Sequence, residues 1–220
     1  PSWSRGLGDV YKRQFLLLGR SKLIEETFSW LDWNQDQLNE RKMKLRESLV
    51  EESESGKVTM VEWNNAWTKY TRSMDIYRTI NDIQSAGNNA EYHSADVTDA
   101  ESIKAAVEGK KVTGIVHGAG LEESKLVSDK SWSMFDLIVR VKIDGWKALM
   151  AAAGDSLRFA CAFTSVAGRF GNGGQTDYAA ANSILDAEMA RMTANSECRA
   201  VAIGWTGWRD VGMATRGSIE

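Results

Sequence analysis

Five short apolar runs, separated by stretches with helical periodicity, constrain this chain more than any other feature. FLLLG from Phe15, AEYHSADV around Tyr92, VTGIVHGAG from Val112, LRFACAFTS from Leu157 and CRAVAIGW from Cys198 lack polar alternation and end at glycine or polar residues. Runs of this kind read as buried strands of a parallel sheet, whose crossover segments cover its faces. ESIKAAVEG (101–109), Ser131 to Ala153 and Tyr178 to roughly Met192 read as the intervening helices. Strands alternating with helices predict an α/β fold built from crossover units. At 220 residues the chain has room for one domain with a sizeable core.

The segment 22–87 breaks this rhythm. It is rich in Glu, Lys, Asn and Gln, and it is about twice the length of an ordinary crossover helix with its loops. Two or three amphipathic helices inserted at the flank of the sheet account for it, with ESESG (52–56) as a loop between them. Trp30 with Trp33 and Trp63 with Trp67, at three- and four-residue spacing, predict a packed local core with no chemistry of its own.

Residues 1–14 are set apart from the native fold. Ser4 to Gln14, SRGLGDVYKRQ, resembles the in-frame translation of a transposon-end sequencing adapter. We treat 1–14 as a non-native tail and expect native sequence from Phe15.

Composition excludes several classes. No run reaches the ~18 apolar residues of a membrane span, and no secretory signal pattern is present. A net charge of -3 gives no footprint for nucleic acid. Two cysteines, Cys161 and Cys198, and two histidines, His93 and His117, make no conventional metal-ligand set. Cys161, inside FACAF, reads as a small buried hydrophobe, and a reducing cytoplasm is the default compartment.

One constellation points to chemistry. Phe135, Ile138, Lys142, Gly145 and Leu149 share a helix face, so Lys142 lies in an apolar stripe where an ammonium needs a partner or must snorkel out. Ser165 ends an apolar strand, at the carboxyl edge where open α/β sheets place ligands; alone it could equally be a cap. Tyr178 and Asn182, four residues apart, share a face of the following helix.

Together these residues resemble the ketoreductase branch of the short-chain dehydrogenase/reductase family. The matching motifs stand as FTSVAG (163–168), GNGGQTDYAAAN (171–182) and VKIDGWKAL (141–149). Most short-chain reductases carry Lys four positions after Tyr. Here Asn182 stands in that place and Lys142 supplies the charge from the preceding helix, a swap that points to synthase ketoreductases. HGAG (117–120) resembles the Asn-Ala-Gly loop beside the nicotinamide ribose. IGWTGWRDVGM (203–213) resembles the Trp-Gly-Pro-Trp stretch over the cofactor, with Thr206 and Gly207 in place of Gly and Pro. The FLLLGRS opening, the long insertion and HGAG look most like polyunsaturated fatty acid synthases.

The resemblance implies a Rossmann-type doubly wound parallel sheet and NADPH-dependent reduction of a β-ketoacyl thioester carried on an acyl carrier protein. Other synthase domains of the same polypeptide would be its neighbours. It implies Tyr178 as proton donor, Ser165 as a second hydrogen-bond donor to the substrate oxygen, Lys142 as the cation favouring phenolate, and Asn182 as a residue holding Lys142 directly or through water. Gly19, Arg20 and Ser21 would meet the adenosine ribose, with Arg20 pairing the 2′-phosphate. Asp96 and Val97 would contact adenine, although DVTDAES also reads as a helix start capped by Thr98 or Asp99. His117, Gly118, Ala119 and Gly120 would border the nicotinamide ribose.

The expected strand order is 3-2-1-4-5-6. No strand and Gly-rich turn precede FLLLGRS, so the central strand is expected to be missing and the chain as written to bind NADPH poorly. A free-standing reductase of a soluble ketone and a non-catalytic cofactor-binding or structural domain are the alternatives. The long insertion and the Lys/Asn swap weigh against the first, and the intact quartet against the second. LEESK (121–125), not a clean Leu-Asp-Asp, and Phe170, where the opposite class shows Trp, leave hydroxyl stereochemistry open.

Overall fold

The structure, a computed structural model, describes residues 13–208. The adapter-like stretch up to residue 12 and residues 209–213 of the Trp-Gly motif lie outside the described residues. The chain divides into two compact units between Ala95 and Asp96.

In the first unit, strands β1 (Gln14–Gly19) and β2 (Asn89–Ser94) pair in parallel, from Gln14 opposite Asn89 to Gly19 opposite Ser94. β1 thus opens at Gln14, one residue inside the stretch set apart as non-native. Between the strands lie a 3-10 turn (Glu25–Trp30), helix α1 (Gln35–Glu52) and helix α2 (Met60–Ser85). Both helices begin with capping boxes, Asn34 with Gln37 and Thr59 with Glu62, which satisfy first-turn amides that have no intrahelical partner. Trp30 is almost fully buried and stacks on Trp33 and Tyr70, with ring centroids 5.0 and 5.4 Å away. Arg41 lies 5.2 Å over the Trp30 ring and pairs with Glu26 at 3.2 Å, so the tryptophans form a small core closed by a cation.

The second unit runs α3 (Ala100–Ala106), β3 (Gly114–His117), α4 (Trp132–Ala153), β4 (Phe159–Ser165), α5 (Ala167–Phe170), α6 (Thr176–Asn195) and β5 (Arg199–Trp205). Of the two candidate caps of α3, Asp99 takes the role, its carboxylate accepting from Glu101 N and Ser102 N. The three strands are parallel in the order β3-β4-β5, with Ile115 opposite Ala160 and Ala160 opposite Ala200. Alanines on this face let α4 and α6 approach the sheet. Ile115, Trp146, Leu157, Ala160, Ala162, Leu185, Met189 and Met192 form the core there.

All five expected strands form, and all pair in parallel. The two sheets correspond to the 3-2 and 4-5-6 parts of the expected order, a Rossmann-type α/β fold. One expectation is corrected. The apolar runs suggested strands buried on both faces, yet Val116 and Val201, on the face opposite Ile115 and Ala200, are 62% and 40% exposed. Apolar composition alone does not distinguish a strand covered on two faces from one covered on a single face.

Candidate active site

Parallel strands present their carboxyl ends at one edge, and in the second unit Ser165 ends β4 while Lys142 bonds the same strand at Phe163. Lys142 is 3% exposed and does not snorkel. Its Nζ donates to the carbonyl of Phe163 on β4, two residues before Ser165. Burial lowers the ammonium from 10.5 to about 8, partly opposed by the negative charge of Asp186. Lys142 and Asn182 make no direct hydrogen bond. Asn182, fully buried, instead donates Nδ2 to Tyr178 O at 2.7 Å, and its Oδ1 has no partner among the described residues.

Tyr178 lies near enough to Ser165 for the hydroxyl to act on the phenol. Burial pushes the phenol above its usual value, while the neighbouring Ser165 hydroxyl and Asn182 side chain pull it down and the charge of Glu122 pushes it up. The Ser165 Oγ also accepts from Ala167 N at 3.2 Å, which sets its rotamer at the entry to α5. Gly168 makes this approach geometrically possible. A Cβ there would lie 3.0 Å from both Asn182 Cβ and Ser183 N, so only glycine lets the α5 turn rest on α6.

His117, at the end of β3, is buried and bonds the Lys142 carbonyl through Nε2 at 3.0 Å. Burial, together with the Lys142 charge, depresses it from 6.5 to about 4, so it is a neutral spacer at physiological pH. Gly120 lies over the ammonium stem, where a Cβ would be 3.1 Å from Lys142 Cε. Gly118 and Ala119 continue this strand end, Gly118 exposed and Ala119 half-buried. Val97 packs on Gly145 of α4 so closely that a Cβ there would sit 2.8 Å from Val97 Cγ2. Asp96 Oδ1 accepts from Thr98 N and Oγ1 at 2.9 and 2.8 Å, closing the turn ahead of the Asp99 cap.

In the first unit, the Gly19–Arg20–Ser21 turn is locked by Tyr92 Oη, shared between Gly19 O at 2.8 Å and Ser21 O at 2.6 Å. Arg20 is exposed, and its guanidinium makes no hydrogen bond or ion pair among the described residues. Taken separately, each unit fits part of a phosphorylated dinucleotide. The first offers a guanidinium on a rigid turn, and the second a strand end kept open by glycine over Lys142.

The sequence reading missed one set of groups. Lys130 and Asp177 form an ion pair at 2.9 Å with side chains 4% and 1% exposed, one residue from Tyr178. Gln175 Nε2 donates to Glu122 Oε1 at 3.1 Å and to Ser124 Oγ at 3.2 Å. Only the acid in the first turn of α6 was a usable signal, and it does not name a partner 47 residues away.

A family model described as "KR domain" matches residues 43–210. One polyunsaturated fatty acid synthase polypeptide of Thraustochytrium sp. is 30% identical over 215 residues, covering 92% of this chain and 7% of that protein. Polyketide synthase ThaG of Burkholderia thailandensis is 35% identical over 139 residues, covering 58% of this chain and 2% of that protein. This chain therefore spans a small fraction of the curated relatives it matches. Among solved structures, a ketoreductase domain from the bacillaene assembly line superposes with a TM-score of 0.60 at 24% identity, covering 96% of this chain and 42% of that one. At that identity the likeness is one of fold.

Proposed function

The chain belongs to the KR domain family, and on that premise we propose that it reduces a β-ketoacyl thioester, carried on an acyl carrier protein, to the β-hydroxyacyl form with NADPH. It would do so beside other domains of a multidomain synthase, in the reducing cytoplasm. Two free, buried cysteines agree with that compartment. Among the described residues no helix is long and apolar enough to cross a membrane. The observation that carries the reading is Ser165 at the carboxyl end of β4 with the buried Lys142 ammonium bonded to Phe163 O of the same strand.

When bound, NADPH supplies the hydride that reaches the ketone carbon. Tyr178 donates its phenolic proton to the oxygen on which negative charge grows, and burial keeps that phenol protonated at neutral pH beforehand. Ser165 donates a second hydrogen bond to the same oxygen. Lys142, still mostly charged at neutral pH, is the cation proposed to favour the phenolate left behind, although its ammonium bonds Phe163 O and is not among the groups acting on the phenol in this structure. Asn182 presents its unpartnered Oδ1 to a water that links it with the ammonium, the form of the relay compatible with Lys142 bonding Phe163. For the cofactor, Arg20 would pair the 2′-phosphate beside Gly19 and Ser21, Asp96 and Val97 would contact adenine, and His117, Gly118, Ala119 and Gly120 would border the nicotinamide ribose.

The test is NADPH consumption with a surrogate β-ketoacyl thioester, by the chain and by the chain extended with a strand and Gly-rich turn ahead of Phe15. Tyr178→Phe should abolish turnover while leaving NADPH binding in place. Turnover that survives Tyr178→Phe, or no reduction by the extended wild type, refutes the reading. A free ketone reduced as well as the carrier-bound one would refute the carrier-bound substrate alone.

A further inference from the structure

The Lys130–Asp177 pair is the most deeply buried ion pair among the described residues, and the proton-transfer scheme does not use it. Lys130 directly precedes Ser131, the N-cap of α4, the helix that carries Lys142. Asp177 sits in the first turn of α6, the helix that carries Tyr178 and Asn182. The Lys130 ammonium spends its donors on Asp177 Oδ1 at 2.9 Å, Asp177 Oδ2 at 3.0 Å and the Glu123 carbonyl at 2.6 Å. Asp177 Oδ1 in turn accepts from Tyr178 N at 2.8 Å. The pair therefore joins three things: the start of α4, the chain at Glu123, and the backbone of the phenol-bearing residue.

The chain between Glu122 and Lys130 is stitched to the same place by neutral bonds. Lys125 N donates to Gly174 O at 3.0 Å. Gly174 has φ +75°, and a Cβ on it would come within 3.2 Å of Lys125 N. Gln175 holds Glu122 and Ser124. The segment is thus a strap lying along the entry to α6, and it carries Glu122, whose carboxylate acts on the phenol. The groups acting on the phenol are Ser165 from the end of β4, Asn182 from its own helix and Glu122 from the strap; Glu122 is the one charged group among them.

We propose that Lys130 and Asp177 are positioning residues for the proton donor: their ion pair straps residues 122–130 across the first turn of α6 and holds Glu122 and a water-excluding wall against Tyr178. The inference rests on the reading of Tyr178 as proton donor, but its test needs no turnover. An ion pair suits this role because its geometry is fixed by three bonds to one ammonium. Losing one partner would leave the other charged and unpaired in a dry site, which makes the closed arrangement all-or-none.

The strap keeps water from the phenol and a carboxylate near it, so releasing it should let Tyr178 ionise more easily. The informative variant is the double substitution Lys130→Met with Asp177→Asn. It removes one charge of each sign, so a change in the phenol comes from movement of the strap and not from new charge. With fluorotyrosine placed at position 178, its ionisation is read by fluorine NMR against pH. We expect a downward shift of about 0.5 to 1 pH unit in the double variant, as desolvation and the Glu122 charge are lost together. Glu122→Gln, with the strap intact, should give a smaller shift in the same direction. Met192→Ala, a core change at the far end of α6, should lower thermal stability without moving the titration. A phenol that titrates unchanged or higher in the double variant overturns the proposal while leaving the proton-donor reading standing. A downward shift of equal size in Met192→Ala overturns it as well, since loosening in general would then suffice. Should the double variant not fold, an unmoved phenol in Glu122→Gln overturns it.

Discussion

Gly168→Ala is the perturbation whose cost follows most directly from the coordinates. A methyl at position 168 would stand 3.0 Å from Asn182 Cβ, 3.0 Å from Ser183 N and 3.1 Å from Asn182 C. Carbon contacts are comfortable at about 3.5–4.0 Å, so α5 and α6 must separate by roughly half an ångström or more. Two of the three opposing atoms are backbone of a helix whose Ala181, Asn182 and Leu185 are fully buried, so that side has no slack. The α5 turn must therefore move, and Ser165 moves with it through its bond to Ala167 N. Overpacking of this kind costs about 1–3 kcal/mol. Replacing glycine in a helical turn returns about 0.5–1 kcal/mol of backbone entropy. The net expectation is a loss of about 1–2 kcal/mol. Amide exchange along α6, at Leu185 and Met189, is the appropriate assay, because two compact units need not unfold in one transition. The comparison is Gly173→Ala, where a Cβ meets nothing within 4 Å and the change should stay within about 0.5 kcal/mol. The displaced Ser165 should also raise the Tyr178 phenol, since its hydroxyl lowers that pKa. Equal exchange in the two variants would refute the close-approach argument.

Other expectations follow from the same site. Lys142 is charged in the unfolded chain up to 10.5 but only to about 8 when folded, so its burial penalty is full below pH 8 and fades as pH rises to 10.5. Lys142→Met should therefore gain up to about 3 kcal/mol near pH 7, less the lost bond to Phe163, and the gain should close above pH 8 in denaturant titrations. His117 behaves oppositely: the unfolded chain takes up its proton near 6.5 and the folded one only near 4, so stability of about 3 kcal/mol is lost as pH falls through that window. His117→Asn should flatten the acid limb, and an unchanged acid limb would contradict the assignment. Arg20→Ala should weaken NADPH binding about 10-fold or more and leave NADH binding unchanged, measured by titration calorimetry.

Local pattern and covalent order carried much of the fold into the sequence. The apolar runs gave five strands because parallel strands need continuous apolar stretches, and Ser131 and the stripe through Ile138 and Lys142 gave α4 because capping and 3.6-residue periodicity are local. Tyr178 and Asn182 were legible as one helix face for the same reason. What no local pattern holds is which groups meet across the chain. Lys142 bonds Phe163 O and not Asn182, an outcome fixed by how α4 packs beside β4, with Gly120 leaving room at the ammonium stem. Lys130 reads in sequence as one more surface lysine, and only the packing of two helix starts buries it against Asp177. Composition likewise left open that Val116 and Val201 are uncovered on one face, because burial belongs to neighbours and not to the residue. Residue types and their spacing determined the strands, the helices and the candidate quartet. Tertiary packing decided their hydrogen-bond partners and their protonation, because both depend on distances between groups far apart along the chain and on the water excluded around them.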